Sequence, residues 1–258
     1  MSEILIGTSG FFYDDWKGVF YPPEMARRDL LAFYARHFSA LELNFSYYRM
    51  PEASQSEQMI YRSGGELEFV VKAFREMTHE ITEISLKKIS PLFLKGISPF
   101  LEAKRLGGVL LQFPQGFHYT SKNRIYLNDL IGMLKPFPLF VEFRQKEWLK
   151  ERVFHTLRAL GVGFVCVDEP PLPSLIPPIV MHTANSGYIR FHGRNSMKWY
   201  GTDSKSRYDY LYSEDELKEW VPKIKDLAQR TEKLFVFFNN HAKAQAITNA
   251  KMLINLLR

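Results

Sequence analysis

Short runs of β-branched and aromatic residues recur along the chain at 4–7, 40–44, 69–73, 109–113, 139–143, 162–167, 188–192 and 235–239, and each predicts a strand. Between most of them the apolar positions fall at helical spacing, over 24–37, 54–62, 92–105, 122–135, 147–160, 214–231 and 242–257. Strands that alternate with helices must run parallel, because each helix carries the chain back to the starting edge of the sheet. Eight such units in 258 residues predict one closed (β/α)₈ barrel occupying residues 1–258 as a single domain. A doubly wound sheet would usually have fewer strands or a second domain.

Two connections break the rhythm. Asp168-Glu169-Pro170-Pro171-Leu172-Pro173, followed by Pro177-Pro178, is too rich in proline for a helix, since each ring removes an amide donor. The sixth helix is therefore expected to be replaced by a loop. The segment 193–213 is long, polar and rich in Tyr and Lys/Arg, and is expected to cover a ligand site.

Alternation along each strand says which side chains face the lumen, because the helix layer accepts only apolar groups. Leu41 and Leu43 suit the helices, which sends Glu42 and Asn44 inward. Val141 and Phe143 do the same for Glu142 and Arg144, and Ile189 and Phe191 for Arg190 and His192. Lys72, Gln112 and Asn239-Asn240-His241 stand at equivalent strand ends. Catalytic groups of parallel barrels gather at this C-terminal rim. The bland alternative is a salt-bridge network that plugs the barrel top.

Composition changes this picture little. The chain is 46% hydrophobic, 15% aromatic and 24% charged, which excludes disordered and fibrous classes. Lone Cys166 excludes an internal disulfide framework and a Cys-cluster metal site. No apolar run is long enough to span a bilayer, so no membrane partner is expected, and Met1-Ser2-Glu3 carries no basic leader. A cytoplasmic location fits these features. The balance of 34 Lys plus Arg against 28 Asp plus Glu, a net +6, leans slightly toward anionic ligands.

The same residues carry a family resemblance over nearly the whole chain. Ile6-Gly7-Thr8-Ser9-Gly10 with Tyr13, Trp16, Gly18 and Phe20-Tyr21-Pro22 opens it, and Glu42-Leu43-Asn44 with Tyr48-Arg49 and Pro51 follows. Val71-Lys72-Ala73 with Thr78-His79, Leu111-Gln112-Phe113-Pro114, Val141-Glu142-Phe143-Arg144 with Trp148, and Asp168 come next. Ile189-Arg190-Phe191-His192-Gly193-Arg194 and Phe238-Asn239-Asn240-His241 complete the series. In these motifs the chain resembles the YecE-like family, a domain of unknown function. It departs at Phe11, where tryptophan is usual, and at Gln145, where histidine is common. The resemblance implies a TIM barrel with likeness to the endonuclease IV and xylose isomerase barrels, and no settled reaction.

Several chemistries compete for the rim. Metal hydrolysis would draw ligands from Glu42, Glu142, Asp168, His192 and His241, with His79 in addition, but no compact metal motif supports it. Lys72, Arg144 and Arg190 would also place positive charge beside a cation, so a divalent metal is not favoured and no cofactor is assigned. An anion pocket suits the charges better: Lys72, Arg144, Arg190 and Arg194 would hold phosphate or carboxylate oxygens. Ser9, Tyr13, Trp16, Asn44, Tyr48, Gln112, Asn239 and Asn240 would complete ligand binding. Glu42 and Glu142 would position or deprotonate water, and His192 and His241 would donate protons.

An aromatic collar of Phe11, Phe12, Tyr13, Trp16, Tyr47, Tyr48, Trp199, Tyr200, Tyr208, Tyr210 and Tyr212 can stack on bases or sugars. The interleaved Arg194, Lys198, Lys205 and Arg207 add a nucleic-acid version. The leading expectation is an enzyme-like barrel that binds a phosphorylated small molecule or nucleic acid and hydrolyses a phosphoester. A noncatalytic binding barrel and a sugar isomerase or glycosidase-like enzyme are the alternatives, the last with Glu42 and Glu142 as its carboxylates, although strands two and five lie far apart round the ring, which counts against their pairing directly.

Overall fold

A computed structural model describes residues 2–82, 84–201 and 204–258, with the side chains of 204 and 205 outside the description. Eight parallel strands close into a barrel in sequence order. They are β1 (Glu3–Ser9), β2 (Ala40–Leu43), β3 (Glu68–Lys72), β4 (Leu106–Gln112), β5 (Leu139–Glu142), β6 (Gly163–Asp168), β7 (Ser186–Phe191) and β8 (Lys233–Phe238). The first strand pairs with both the second and the last, Gly7 standing opposite Ala40 on one side and Phe237 on the other. All eight strands expected from the hydrophobic runs are present.

The outer layer comprises α1 (Leu30–Ala35), α2 (Ala53–Arg62), α3 (Ser90–Glu102), α4 (Ser121–Leu134), α5 (Glu151–Leu160), α6 (Glu214–Lys218), α7 (Val221–Gln229) and α8 (Gln245–Leu257). Local chemistry sets several of their ends. The Thr120 hydroxyl accepts the Asn123 amide at the start of α4, and Ser213 and Glu216 form a reciprocal capping box on α6. Gly161 closes α5 in the left-handed region at φ 65°. The single helix expected over 214–231 is two, α6 and α7, meeting at Glu219 and Trp220 before Pro222 in the first turn of α7. No helix follows β6: residues 169–185 run as turns and extended chain, as their prolines require. Among the described residues no helix is long and apolar enough to cross a membrane.

The lower lumen is filled by rings. Phe140 meets Tyr188 edge-on at 4.9 Å between centroids, and Tyr188 meets Phe237 at 5.3 Å. Glycines on neighbouring strands make room for them: a Cβ on Gly163 would stand 2.4 Å from Phe140 Cδ1, and one on Gly107 2.6 Å from Phe235 Cζ. Above these rings the lumen turns polar. Replacing Gly163 with Val therefore overpacks the lumen and is expected to cost about 2 kcal/mol. Urea unfolding of Gly163→Val checks this, and adding Phe140→Leu should restore part of the loss.

Candidate functional site

Strands β2, β5 and β7 do bring their ionic side chains to one place. Arg190, 1% exposed, spans the lumen: its Nη2 donates to Glu42 Oε1 and its Nη1 to Glu142 Oε2, both at 2.6 Å. Tyr188, two residues earlier on the same face, donates to the other oxygen of Glu42. Arg144 lies against the same cluster, with Nε 2.8 Å from Glu142 Oε1 and Nη1 2.9 Å from Glu169 Oε2. His192 Nε2 stands 3.1 Å from Arg144 Nη2 and 3.2 Å from Glu142 Oε1, and its Nδ1 meets the Asn239 amide at 3.1 Å.

Burial and charge set the protonation of these groups. Burial pushes the Glu142 carboxyl upward, but Arg190 and Arg144 outweigh it and hold that carboxyl well below the usual range. Burial, with Arg144 beside it, pushes the His192 imidazole down to about 3, so the ring is neutral at physiological pH. Glu169 is carried up to about 7 by burial, against the pull of Arg144 and of the Ile176 amide that it accepts at 2.9 Å.

This network is the floor of a cavity of about 530 Å³ at the C-terminal mouth of the barrel. Lys72, Arg144, Arg190 and Arg207 supply its cations, and no Asp or Glu is among its described lining residues. Tyr13, Asn44, Tyr48, Gln112, Asn239 and His241 line it as well, with His79, Tyr47 and Tyr208. Arg190 Nε and Asn44 Oδ1 are buried there without a hydrogen-bond partner. His241 is stacked on Tyr13 at 4.3 Å and 2° between planes.

Lys72 differs from the other cations of the mouth. Its Nζ sits 4.4 Å over the face of Tyr47, and no carboxylate of the described residues comes within ion-pair distance of it. Desolvation, with Arg190 facing it, lowers its pKa to about 7 despite Glu142 and Glu42 below. His79 is likewise pushed down to about 3 by burial and by Lys72, and its Nδ1 meets the Thr78 hydroxyl at 2.9 Å.

The loop after β7 lies over this mouth, as its length and polarity suggest. Trp199, 4% exposed, covers Arg144 at 5.5 Å, and the Tyr200 hydroxyl meets Ser174 at 3.2 Å and Gln115 at 3.4 Å. The loop leaves β7 at Gly193, whose φ of +89° and 2.7 Å approach of Tyr210 Cβ to an added Cβ admit only glycine without strain. Residues 202 and 203 of this loop, and the side chain of Lys205 named above, lie outside the described residues.

Several expected site residues do other work. Glu42, Glu142 and His192 are fully buried beneath the cavity and do not line it. Asp168 accepts both arms of Arg194 at 2.9 and 2.8 Å, the Tyr212 hydroxyl and the Trp220 indole N–H at 2.7 Å, so this pair ties the loop to α6 and α7 instead of serving ligand or metal. Trp16 is buried with its indole N–H on the His241 carbonyl at 2.7 Å. Asn240 donates to the Tyr210 carbonyl and to Asn249 Oδ1, and Ser9 is buried outside the cavity wall, its carbonyl accepting from Tyr13. The aromatic collar is divided: Trp16, Trp199 and Tyr212 are buried, Phe11, Phe12, Tyr13, Tyr47, Tyr208 and Tyr210 are half-buried, and Tyr48 and Tyr200 stand out at 69% and 59%. Among the described residues no group of three or more His, Cys, Asp or Glu is placed to hold a metal ion.

Residue reasoning passed over Glu169 and Tyr188. Tyr188 carries a signal, since it shares the inward parity of Arg190. Glu169 carries none, being one acid in a proline-rich connection.

A family model described as "Protein of unknown function DUF72" matches residues 5–258. The chain belongs to the DUF72 family. It is 32% identical to the UPF0759 protein YunF of Bacillus subtilis (strain 168), over 98% of this chain and 94% of that protein. Among solved structures it is similar to a DUF72 family protein of Thermotoga maritima MSB8, with a TM-score of 0.89, 38% identity and 99% of both chains covered. A second DUF72 protein, from Enterococcus faecalis V583, superposes with a TM-score of 0.85 at 25% identity, covering 98% of this chain and 95% of that one. The YecE-like resemblance and DUF72 are the same family.

Two outcomes follow for this DUF72 chain. Arg190→Met takes from Glu42 its one ion-pair partner among the described residues and from Glu142 one of two arginines, and is expected to cost about 3–5 kcal/mol in urea unfolding at pH 7. The orphaned Glu42 gains stability by binding a proton, so the deficit should shrink as pH falls from 7 toward 5; a deficit independent of pH would contradict the assigned pairing. Lys72 behaves oppositely. Its folded pKa of about 7 lies below its unfolded value, so the cost of keeping it charged is full below pH 7 and fades as pH rises toward 10.5. Lys72→Met should therefore raise Tm most at acidic pH, with the gain disappearing by pH 10.5 in a series of thermal melts.

Proposed function

We propose that the mouth of this barrel binds a small anionic molecule, a phosphorylated metabolite in the first instance. The observation that carries this is the wall itself: Lys72, Arg144, Arg190 and Arg207 face one cavity to which no described acidic side chain contributes. Arginine offers a planar fork to phosphate or carboxylate oxygens and lysine a point charge. The unpartnered Arg190 Nε and Asn44 Oδ1, with Gln112 and Asn239 nearby, supply polar groups that a ligand or water must satisfy. A volume of about 530 Å³ suits a metabolite.

Hydrolysis by Glu42 and Glu142 is not part of this reading, because both carboxylates are engaged by Arg190 under the floor and neither lines the cavity. The endonuclease-like metal chemistry drops out with them, since among the described residues the remaining candidates, Asp168, His192, His241 and His79, are not grouped as ligands. A small molecule is favoured over nucleic acid because the cations converge on one cavity of about 530 Å³ and not along a groove on which successive bases could stack.

The test is thermal stabilisation by inorganic phosphate, pyrophosphate and sulfate, followed by calorimetric titration of the strongest. Stabilisation should weaken with added salt, and at pH 6, where Lys72 carries its proton, Lys72→Met or Arg207→Ala should each weaken affinity about tenfold, as loss of a charged hydrogen bond does. Indifference of the wild type to all three anions at low ionic strength, or unchanged affinity in both variants, would remove the proposal.

A further inference from the structure

We propose that Lys72 is a nucleophile that forms an imine with the carbonyl carbon of an anionic aldehyde or ketone held in the barrel mouth. This deepens the anion-site reading and rests on it, naming the ligand as a phosphorylated carbonyl compound.

The argument begins with position. Lys72 ends β3, at the rim where the barrel opens, and its Nζ lies on the cavity wall together with Arg144 and Arg190. A lysine meant only to carry charge is usually found beside a carboxylate that keeps it protonated. Lys72 has an aromatic face at 4.4 Å instead, and each carboxylate below it is already held by an arginine. Of the three guanidinium groups on its wall, those of Arg190 and Arg144 oppose a further positive charge at Lys72. Burial against rings and crowding by like charge are the two known ways to hold a lysine as the free amine. The lowering of its pKa to about 7 agrees with this geometry. The partner follows from the same surroundings. Arg144, Arg190 and Arg207 stay charged and take the anionic group, which leaves the amine for the electrophilic carbon.

The chemistry balances without an added reagent. The Nζ lone pair attacks the carbonyl carbon, the C–O π pair moves to oxygen, and one N–H proton follows it to give a carbinolamine. The carbinolamine C–O bond then breaks as the second N–H proton is transferred, so the oxygen leaves as water with both amine hydrogens and a C=N bond remains.

The experiment uses pyridoxal 5′-phosphate as probe, sodium borohydride to reduce any imine to a stable secondary amine, and mass spectrometry of the whole chain and its peptides. Pyridoxine 5′-phosphate, which has no carbonyl, is the companion ligand. One adduct per chain is expected, on Lys72, formed about tenfold or more faster at pH 7 than on any exposed lysine, because those remain almost wholly protonated there. Its rate should rise with a midpoint near pH 7, a profile that a merely structural lysine would not show. Pyridoxine 5′-phosphate should slow it, and Lys72→Arg should abolish it. Adducts spread over exposed lysines with none favoured at Lys72 overturn the inference. If pyridoxine 5′-phosphate still stabilises the protein in that case, the anion site survives. If neither compound stabilises it, both proposals fall together. The decisive measurement is made on wild type, so it stands even where Lys72→Arg does not fold.

Discussion

The mouth of this barrel depends on one guanidinium group. Arg190 reaches across the lumen and holds Glu42 from β2 and Glu142 from β5 at 2.6 Å each, so three strands that are not neighbours are joined by a single side chain. Such a group is costly to bury, and burying it is tolerable only because both partners are equally buried and well placed. The charge count extends the point. Glu42 and Glu142 balance Arg190 and Arg144, and that quartet is neutral. Two further ionisable groups abut it: Glu169, which has only a share of the Arg144 that Glu142 also holds, and Lys72, which has no carboxylate within ion-pair distance among the described residues. Each is pushed toward its neutral form, and both are brought to about 7 from opposite directions. The reactive character assigned to Lys72 is thus a consequence of how completely the network below it is satisfied.

Much of the architecture is legible in the residue pattern because the physics behind it is local. β-Branched and aromatic runs of four to six residues name the strands, and alternation within them names the inward side chains, since an ion facing the helix layer would have no partner. The proline-rich segment after β6 could not have been a helix, and it is not one. The break between α6 and α7 was harder to see, because Leu217, Trp220, Ile224 and Leu227 keep helical spacing across it and all four are buried.

The site was legible in direction and not in height. Parity puts Glu42, Glu142 and His192 on the lumen side without saying that they stop below the cavity, with countercharges closing over them. The same limit explains Asp168 and Arg194. Each looks like a rim residue by position and type, yet they meet each other and spend their charge anchoring the loop. Whether an ionic side chain meets a ligand or its opposite depends on which partner arrives from a distant strand, and no window of sequence contains that partner. Glu169, reached by Arg144 from 25 residues away, is the plainest case.

What separates Lys72 from the arginines around it is therefore a matter of pairing more than of place. All these cations occupy the same wall, but Arg144 and Arg190 are tied to carboxylates through several donors, and a guanidinium so held remains charged at every physiological pH. An amine has one nitrogen and a far lower affinity for its last proton, so the same crowding that leaves arginine unaffected can free it. Exchanging the two residue types would not preserve the site: an arginine at 72 keeps the positive wall and loses the lone pair. A barrel that needed only to attract an anion had no reason to place a lysine against Tyr47, away from every available carboxylate, and the choice of residue there points to the nitrogen's electrons as its contribution.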